Sequence, residues 1–249
     1  MINTFKTIVR PALEYACTVW SPLISESNLQ KLQTVKNSAL RIATGCTSNT
    51  NQNHLHTETL VIPLKHHFNL HASNLKQKSA LENHPLNYLL TQPPPIRTMK
   101  NSLFQSNKNL INPPIGTLPL GEIIHNIQLN HTTIVKNYTE NLPPNKILGQ
   151  QPPPINLAEE FLPRKQRCTL AQIRTNKSPL LLSYKHLIDQ QNYPSPLCPL
   201  CKNDIHDTIH LFNCNQLKTE LEPMDLWTNP WESSELLDAW WVVGDFPSL

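Results

Sequence analysis

Glycine is scarce in this sequence, with five residues in 249, and neither G-x-G-x-x-G nor G-x-x-x-x-G-K-[ST] occurs. Folds that cradle dinucleotide or nucleotide phosphates on Gly-rich loops need such glycines, so a fold of that kind is not expected. Aromatic residues make up 6% and hydrophobic residues 39%, which argues against one compact core filling the whole length. No apolar run reaches the ~18 residues of a membrane-spanning helix. Arg10 and Glu14 interrupt the first apolar stretch, so no secretory signal is read there. Six cysteines are too few for a disulfide scaffold of this length. A nuclear or cytoplasmic protein is expected, neither secreted nor membrane-bound.

Proline is the residue in excess, with 23 copies, clustered at Pro93-Pro94-Pro95, Pro113-Pro114, Pro143-Pro144 and Pro152-Pro153-Pro154. These clusters predict a Pro/Asn-rich, partly ordered linker over 91–156, with a short helix or strand around Ile123–Tyr138. Before it, residues 1–90 read as a small helical unit. Ser25 or Ser27 is placed to cap a helix on which Leu29, Leu32, Val35, Ala39, Ile42 and Ala43 recur at steps of three and four. Lys31, Lys36 and Arg41 fall on its other face. A further helix begins near Pro63, with Leu64, Phe68, Ala72 and Leu75 on one side. After the linker, 157–249 reads as short basic helices, a Cys/His module and an amphipathic tail at Glu235–Val243. The expected fold class is mainly α.

The net charge of +3 conceals an asymmetry: 20 Lys/Arg stand against 9 Asp/Glu before residue 204, and 1 against 9 from there on. A basic body fits a polyanionic partner, and the acidic end must face something else.

The strongest chemical signal is Cys198-x2-Cys201 followed by His206, His210 and Cys214. Two Cys at that spacing form a knuckle that turns both thiolates to one side. His210 and Cys214, four apart, project from one helix face and complete a Cys3His set suited to Zn²⁺. His206 competes for the fourth place, but on a continuous helix it lies about 12 Å from Cys214, so His210 is preferred. Four protein ligands leave no open position, so the zinc is expected to be structural rather than catalytic. His54, His56, Glu58, His66, His67 and His71 show no convergent face and read as solvated or packing residues. Cys17, Cys46 and Cys168 read as single thiols. Arg164, Lys165 and Arg167, with Arg174 and Lys177, form a basic cluster just ahead of the knuckle, suited to phosphate-backbone contact.

Ile8-Val9-Arg10-Pro11-Ala12-Leu13-Glu14-Tyr15-Ala16, Val19-Trp20-Ser21-Pro22, and Leu29–Gln33 through Ala39–Ile42 resemble the thumb region of Jockey-type non-LTR retrotransposon reverse transcriptases. The Cys198-x2-Cys201…His210-Leu-Phe-Asn-Cys214 tail and Asp225-Leu-Trp227 are similar to the C-terminal end of the same elements. The resemblance implies a C-terminal portion of an RNA-directed DNA polymerase, with Lys31, Lys36 and Arg41 tracking a template–primer duplex and the zinc tail binding RNA or target DNA. The palm's Asp-Asp pair has no counterpart here, so no catalytic residue is assigned. The missing upstream polymerase region is a further candidate partner, and no small-molecule substrate is expected. Two alternatives remain: a zinc-stabilised protein-docking module using Trp240 and Trp241, and a decayed, non-functional fragment.

Overall fold

The computed structural model describes residues 2–87 and 117–243. It is mainly helical, and among the described residues there is no strand, only an isolated antiparallel bridge between Leu197 and Ile205. The chain divides into two compact units. One gathers Asn3–Asn37 with Leu60–Asn141, and the other Ser38–Thr59 with the chain from Leu142 onward.

The Glu26–Thr44 helix begins in the first unit, where expected. The Ser25 hydroxyl accepts the Asn28 amide at 3.3 Å, so Ser25 rather than Ser27 is the cap. The buried face differs from the one the apolar spacing suggests. Leu29, Gln33, Lys36 and Leu40 are buried, whereas Val35 and Ile42 stand 54% and 66% exposed. Steps of four, three and four fit a helix as well as the apolar series does. The polar members on this face are held by bonds no periodicity reveals: Gln33 Oε1 accepts the Leu64 amide at 2.8 Å, and Lys36 Nζ donates to the Ile62 carbonyl. Cys17, Leu29, Leu64 and Phe68 form the core here, with Trp20 edge-on to Phe68 at 5.0 Å.

Part of the expected linker is a long helix, Leu120–Glu140. It packs along Leu64–Ser79: Asn126 Nδ2 donates to Gln77 Oε1 at 3.3 Å, and Asn130 Nδ2 to Ser73 Oγ at 3.0 Å. Ile134 meets Ile62 and Leu70. Proline clusters flank this segment but none enters it, and helix-breaking acts only locally. The Pro93-Pro94-Pro95 and Pro113-Pro114 clusters lie outside the described residues.

In the second unit the prolines at 143–144 and 152–154 border ordered chain. Asn145 Oδ1 accepts the amides of Ile147 and Leu148, its Nδ2 donates to the Arg174 carbonyl, and Leu148 and Ile155 pack on the core. That core joins Leu170, Ile173, Leu180, Leu181, Leu211, Trp227, Leu237 and Trp240. Helices Arg164–Arg174, Leu182–Ile188, Thr208–Asn213 and Pro230–Val243 supply most of it.

Candidate metal centre

The knuckle is a tight reversal closed by backbone bonds. The Cys198 amide donates to the Asp204 carbonyl at 2.8 Å, the Lys202 amide to the Cys198 carbonyl at 2.9 Å, and the His206 amide to the Pro196 carbonyl at 2.8 Å. Lys202 takes a left-handed φ of 57° at the tip. The Thr208–Asn213 helix follows, capped by the Asp207 carboxylate, which accepts the His210 amide at 2.9 Å. Two bonds from Thr208 fix that helix to the end of Arg164–Arg174: its hydroxyl donates to the Ile173 carbonyl at 3.0 Å and its amide to Asn176 Oδ1 at 3.2 Å. Sequence reasoning missed Thr208, Asn176 and Asp207. Only Asp207 carried a readable signal, as an acid directly before an apolar helical turn.

Cys198, Cys201, His210 and Cys214 converge with all four donor atoms within 4.8 Å of one another. The Cys198 and Cys214 sulfurs lie 3.9 Å apart, and Cys201 Sγ lies 3.4 Å from His210 Nε2. A tetrahedral ion with bonds of about 2.3 Å to sulfur and 2.0–2.1 Å to nitrogen separates its donors by about 3.6–3.8 Å, so the set fits such an ion. The amides of Asn203 and Asp204 hold the Cys201 thiol below its usual range. Burial pushes the Cys198 thiol up to about 11, against amides from Cys201 and Leu200 that favour its thiolate. A cation at the centre would reverse that burial effect. Asp204 stands 3.9 Å from His210 Nδ1, on the ring's far side.

His206 stands outside the set. Its Nδ1 accepts the Leu182 amide at 3.1 Å, its ring packs 5.0 Å from Trp240, and it is fully buried. Burial, with His210 and Lys185 nearby, lowers it to about 4.

The basic residues separate into two groups. Arg164 and Lys165 are exposed and Arg167 and Lys177 partly so, on or just after one helix. Lys31 is exposed, and Arg41 is half-buried with its guanidinium on the Thr50 carbonyl at 3.0 Å. Lys36 and Arg174 are corrections: both are buried and cannot reach a phosphate. Lys36 is drawn inward by the Ile62 carbonyl, and burial lowers it to about 7. Arg174 is enclosed by Glu58 Oε1 at 2.7 Å, by Glu159, and by the Leu226 carbonyl at 2.9 Å from Nε. Among the aromatics near the cluster, Tyr184 and Phe212 are buried. Tyr193 is partly exposed with Lys185 Nζ 5.0 Å above its ring.

Of the expected docking residues of the tail, Trp240 is interior and Trp241 partly buried. Trp240 is fully buried and donates to the Leu211 carbonyl at 3.3 Å, and Trp241 packs against the same core.

The histidines expected to lack a convergent face divide as well. His66 packs against Tyr138 at 5.2 Å and His56 is buried. His67 and His71 instead converge on Glu14. Their spacing of four was visible in the sequence, but the carboxylate comes from a distant segment.

No helix among the described residues is long and apolar enough to cross a membrane. No family model, curated protein or solved structure matches the chain.

Proposed function

We propose that the second unit is a zinc-stabilised nucleic-acid-binding module. The observation that carries it is the coupling of a closed Cys3His cluster to the basic helix through Thr208. Three thiolates and one imidazole in tetrahedral reach suit Zn²⁺, and with every position filled by protein the ion holds structure and does no chemistry. It fixes Thr208–Asn213, and through Thr208 the turn at Asn176 that presents Lys177.

Arg164, Lys165, Arg167 and Lys177 then contact a phosphate backbone. Asp238 accepts from Gln166 at 2.8 Å on one flank of the basic helix, so phosphate approaches from the Arg164–Lys165 end. The sequence resemblance supplies the setting: the C-terminal part of a retrotransposon reverse transcriptase, holding RNA or target DNA while a catalytic palm acts elsewhere. Trp240 is buried and Trp241 partly so, which favours the nucleic-acid reading over docking through these two side chains.

The salt dependence of single-stranded RNA binding to the full chain tests this reading. Each phosphate–cation pair removed reduces the log–log slope by about 0.7. Replacing Arg164, Lys165 and Arg167 together by Ala should flatten the slope by about 2 and weaken binding. An unchanged slope would remove this helix from the interface.

A further inference from the structure

A second group of donors lies in the first unit, apart from the Cys3His cluster. Glu14 closes the Arg10–Glu14 helical turn, directly before a reversal in which Ala16 takes a φ of 49°. His67 and His71 sit one turn apart on Leu64–Ser79 and project from one face. His71 Nε2 lies 3.0 Å from Glu14 Oε2, His67 Nδ1 lies 3.5 Å from Glu14 Oε1, and all three donors fall within 4.8 Å.

Two features distinguish this group from an ordinary His–carboxylate bond. The Glu14 side chain is only 9% exposed, yet its Oε1 is buried without a hydrogen-bond partner. Leaving a buried carboxylate oxygen unpaired is costly, so something absent from the protein itself should satisfy it. The His67–Glu14 separation is too long for a good N–H···O bond. It is close to the ~3.3–3.4 Å expected when a tetrahedral ion sits between a nitrogen at about 2.0–2.1 Å and an oxygen at about 2.0–2.2 Å.

We infer that Glu14, His67 and His71 form a second metal site, in which two imidazoles and one carboxylate hold a divalent transition ion of zinc type. Three protein donors leave one position for water. It opens on the His71 side, where the side chain is 41% exposed against 11% for His67. Two cations oppose the ion: Arg10 Nε lies 3.9 Å from Glu14, and Lys36 is buried in the same unit. With no thiolate and this repulsion, the site binds more weakly than Cys3His. When filled, it would cross-link segments 57 positions apart.

The test is metal stoichiometry of the reduced full-length chain, with Zn²⁺ and with Co²⁺ as a spectroscopic substitute. Wild type should take up two ions per chain, the second more weakly. Cys198→Ser should retain one Co²⁺ lacking thiolate-to-metal charge transfer. His71→Gln, a substitution at a half-exposed position, and Glu14→Gln should each retain one ion, with that charge transfer intact and helical circular dichroism unchanged. Saturation of wild type at one thiolate-bound ion would overturn the inference. So would a second ion surviving in the Glu14→Gln/His71→Gln double variant, or complete loss of metal in Cys198→Ser.

Discussion

Glu58 and Arg174, 116 positions apart, meet side chain to side chain at 2.7 Å inside the second unit, where Arg174 is 1% exposed. Glu159 and the Leu226 carbonyl occupy the rest of the guanidinium, and the Trp227 ring lies 5.7 Å from it. Burial raises Glu58 above the usual carboxylate range and the Arg174 charge draws it back. Arg174 is a structural node at the base of the helix that carries the basic cluster.

Removing Arg174 should therefore cost stability rather than affinity per se. Arg174→Met leaves two buried carboxylates facing each other, and a loss of about 3–5 kcal/mol is expected. Arg174→Lys should recover little, because a single ammonium cannot replace the guanidinium fork. Denaturant unfolding of the three proteins checks both statements.

Gly45 ends the Glu26–Thr44 helix with a φ of 79°, and a Cβ built there would lie 2.3 Å from Cys168 Sγ. Gly45→Ala combines left-handed strain of about 1–2 kcal/mol with an overpacking cost of about 1–3 kcal/mol. Cys168→Gly in the same chain should return only the overpacking part. A double-mutant cycle on unfolding free energies separates the two contributions.

His206 is buried as a neutral acceptor, and its ordinary range near 6.5 falls to about 4 in the folded protein. Between those values the unfolded chain binds the extra proton, so stability falls as pH falls from about 6.5 to about 4. The slope approaches 1.4 kcal/mol per unit for this one group. His206→Asn keeps an acceptor for the Leu182 amide and removes the titration. Its acid slope, measured by chemical denaturation at several pH values, should be shallower than wild type by that contribution.

Burial separates the basic residues into those open to solvent and those enclosed by the protein. Neutralising Lys36 should leave the salt slope of RNA binding unchanged, since its ammonium is bonded to the Ile62 carbonyl. Neutralising Lys165 should lower that slope by about 0.7. Filter-binding titrations across a salt series distinguish them.

The sequence revealed local features more fully than long-range ones. A serine cap at 25 or 27, the helix beginning after Pro63, and the Cys198–Cys201 knuckle all follow from chemistry within a few residues. His210 rather than His206 groups with the three cysteines, as expected, although the helix begins only at Thr208 and so does not contain His206 as the pitch argument assumed. What stayed hidden depends on distant partners. The orientation of Glu26–Thr44 is shaped by Leu64 and Ile62, which draw Gln33 and Lys36 inward past Val35 and Ile42. The Leu120–Glu140 helix was obscured by flanking proline, and its asparagines bond to Gln77 and Ser73 on another helix. Arg174 reads as one more cation in a basic run until Glu58 and Glu159 are seen around it.

In the proposed function, a thiolate-bound metal organises a nucleic-acid-binding surface. The most direct measurement is metal content and RNA affinity on one preparation of the reduced full-length chain, with and without Cys198→Ser. One thiolate-coordinated ion per wild-type chain is predicted, absent from the variant together with most of the RNA affinity. Absence of any thiolate-coordinated ion in wild type, or RNA binding that persists undiminished after its removal, would contradict the account.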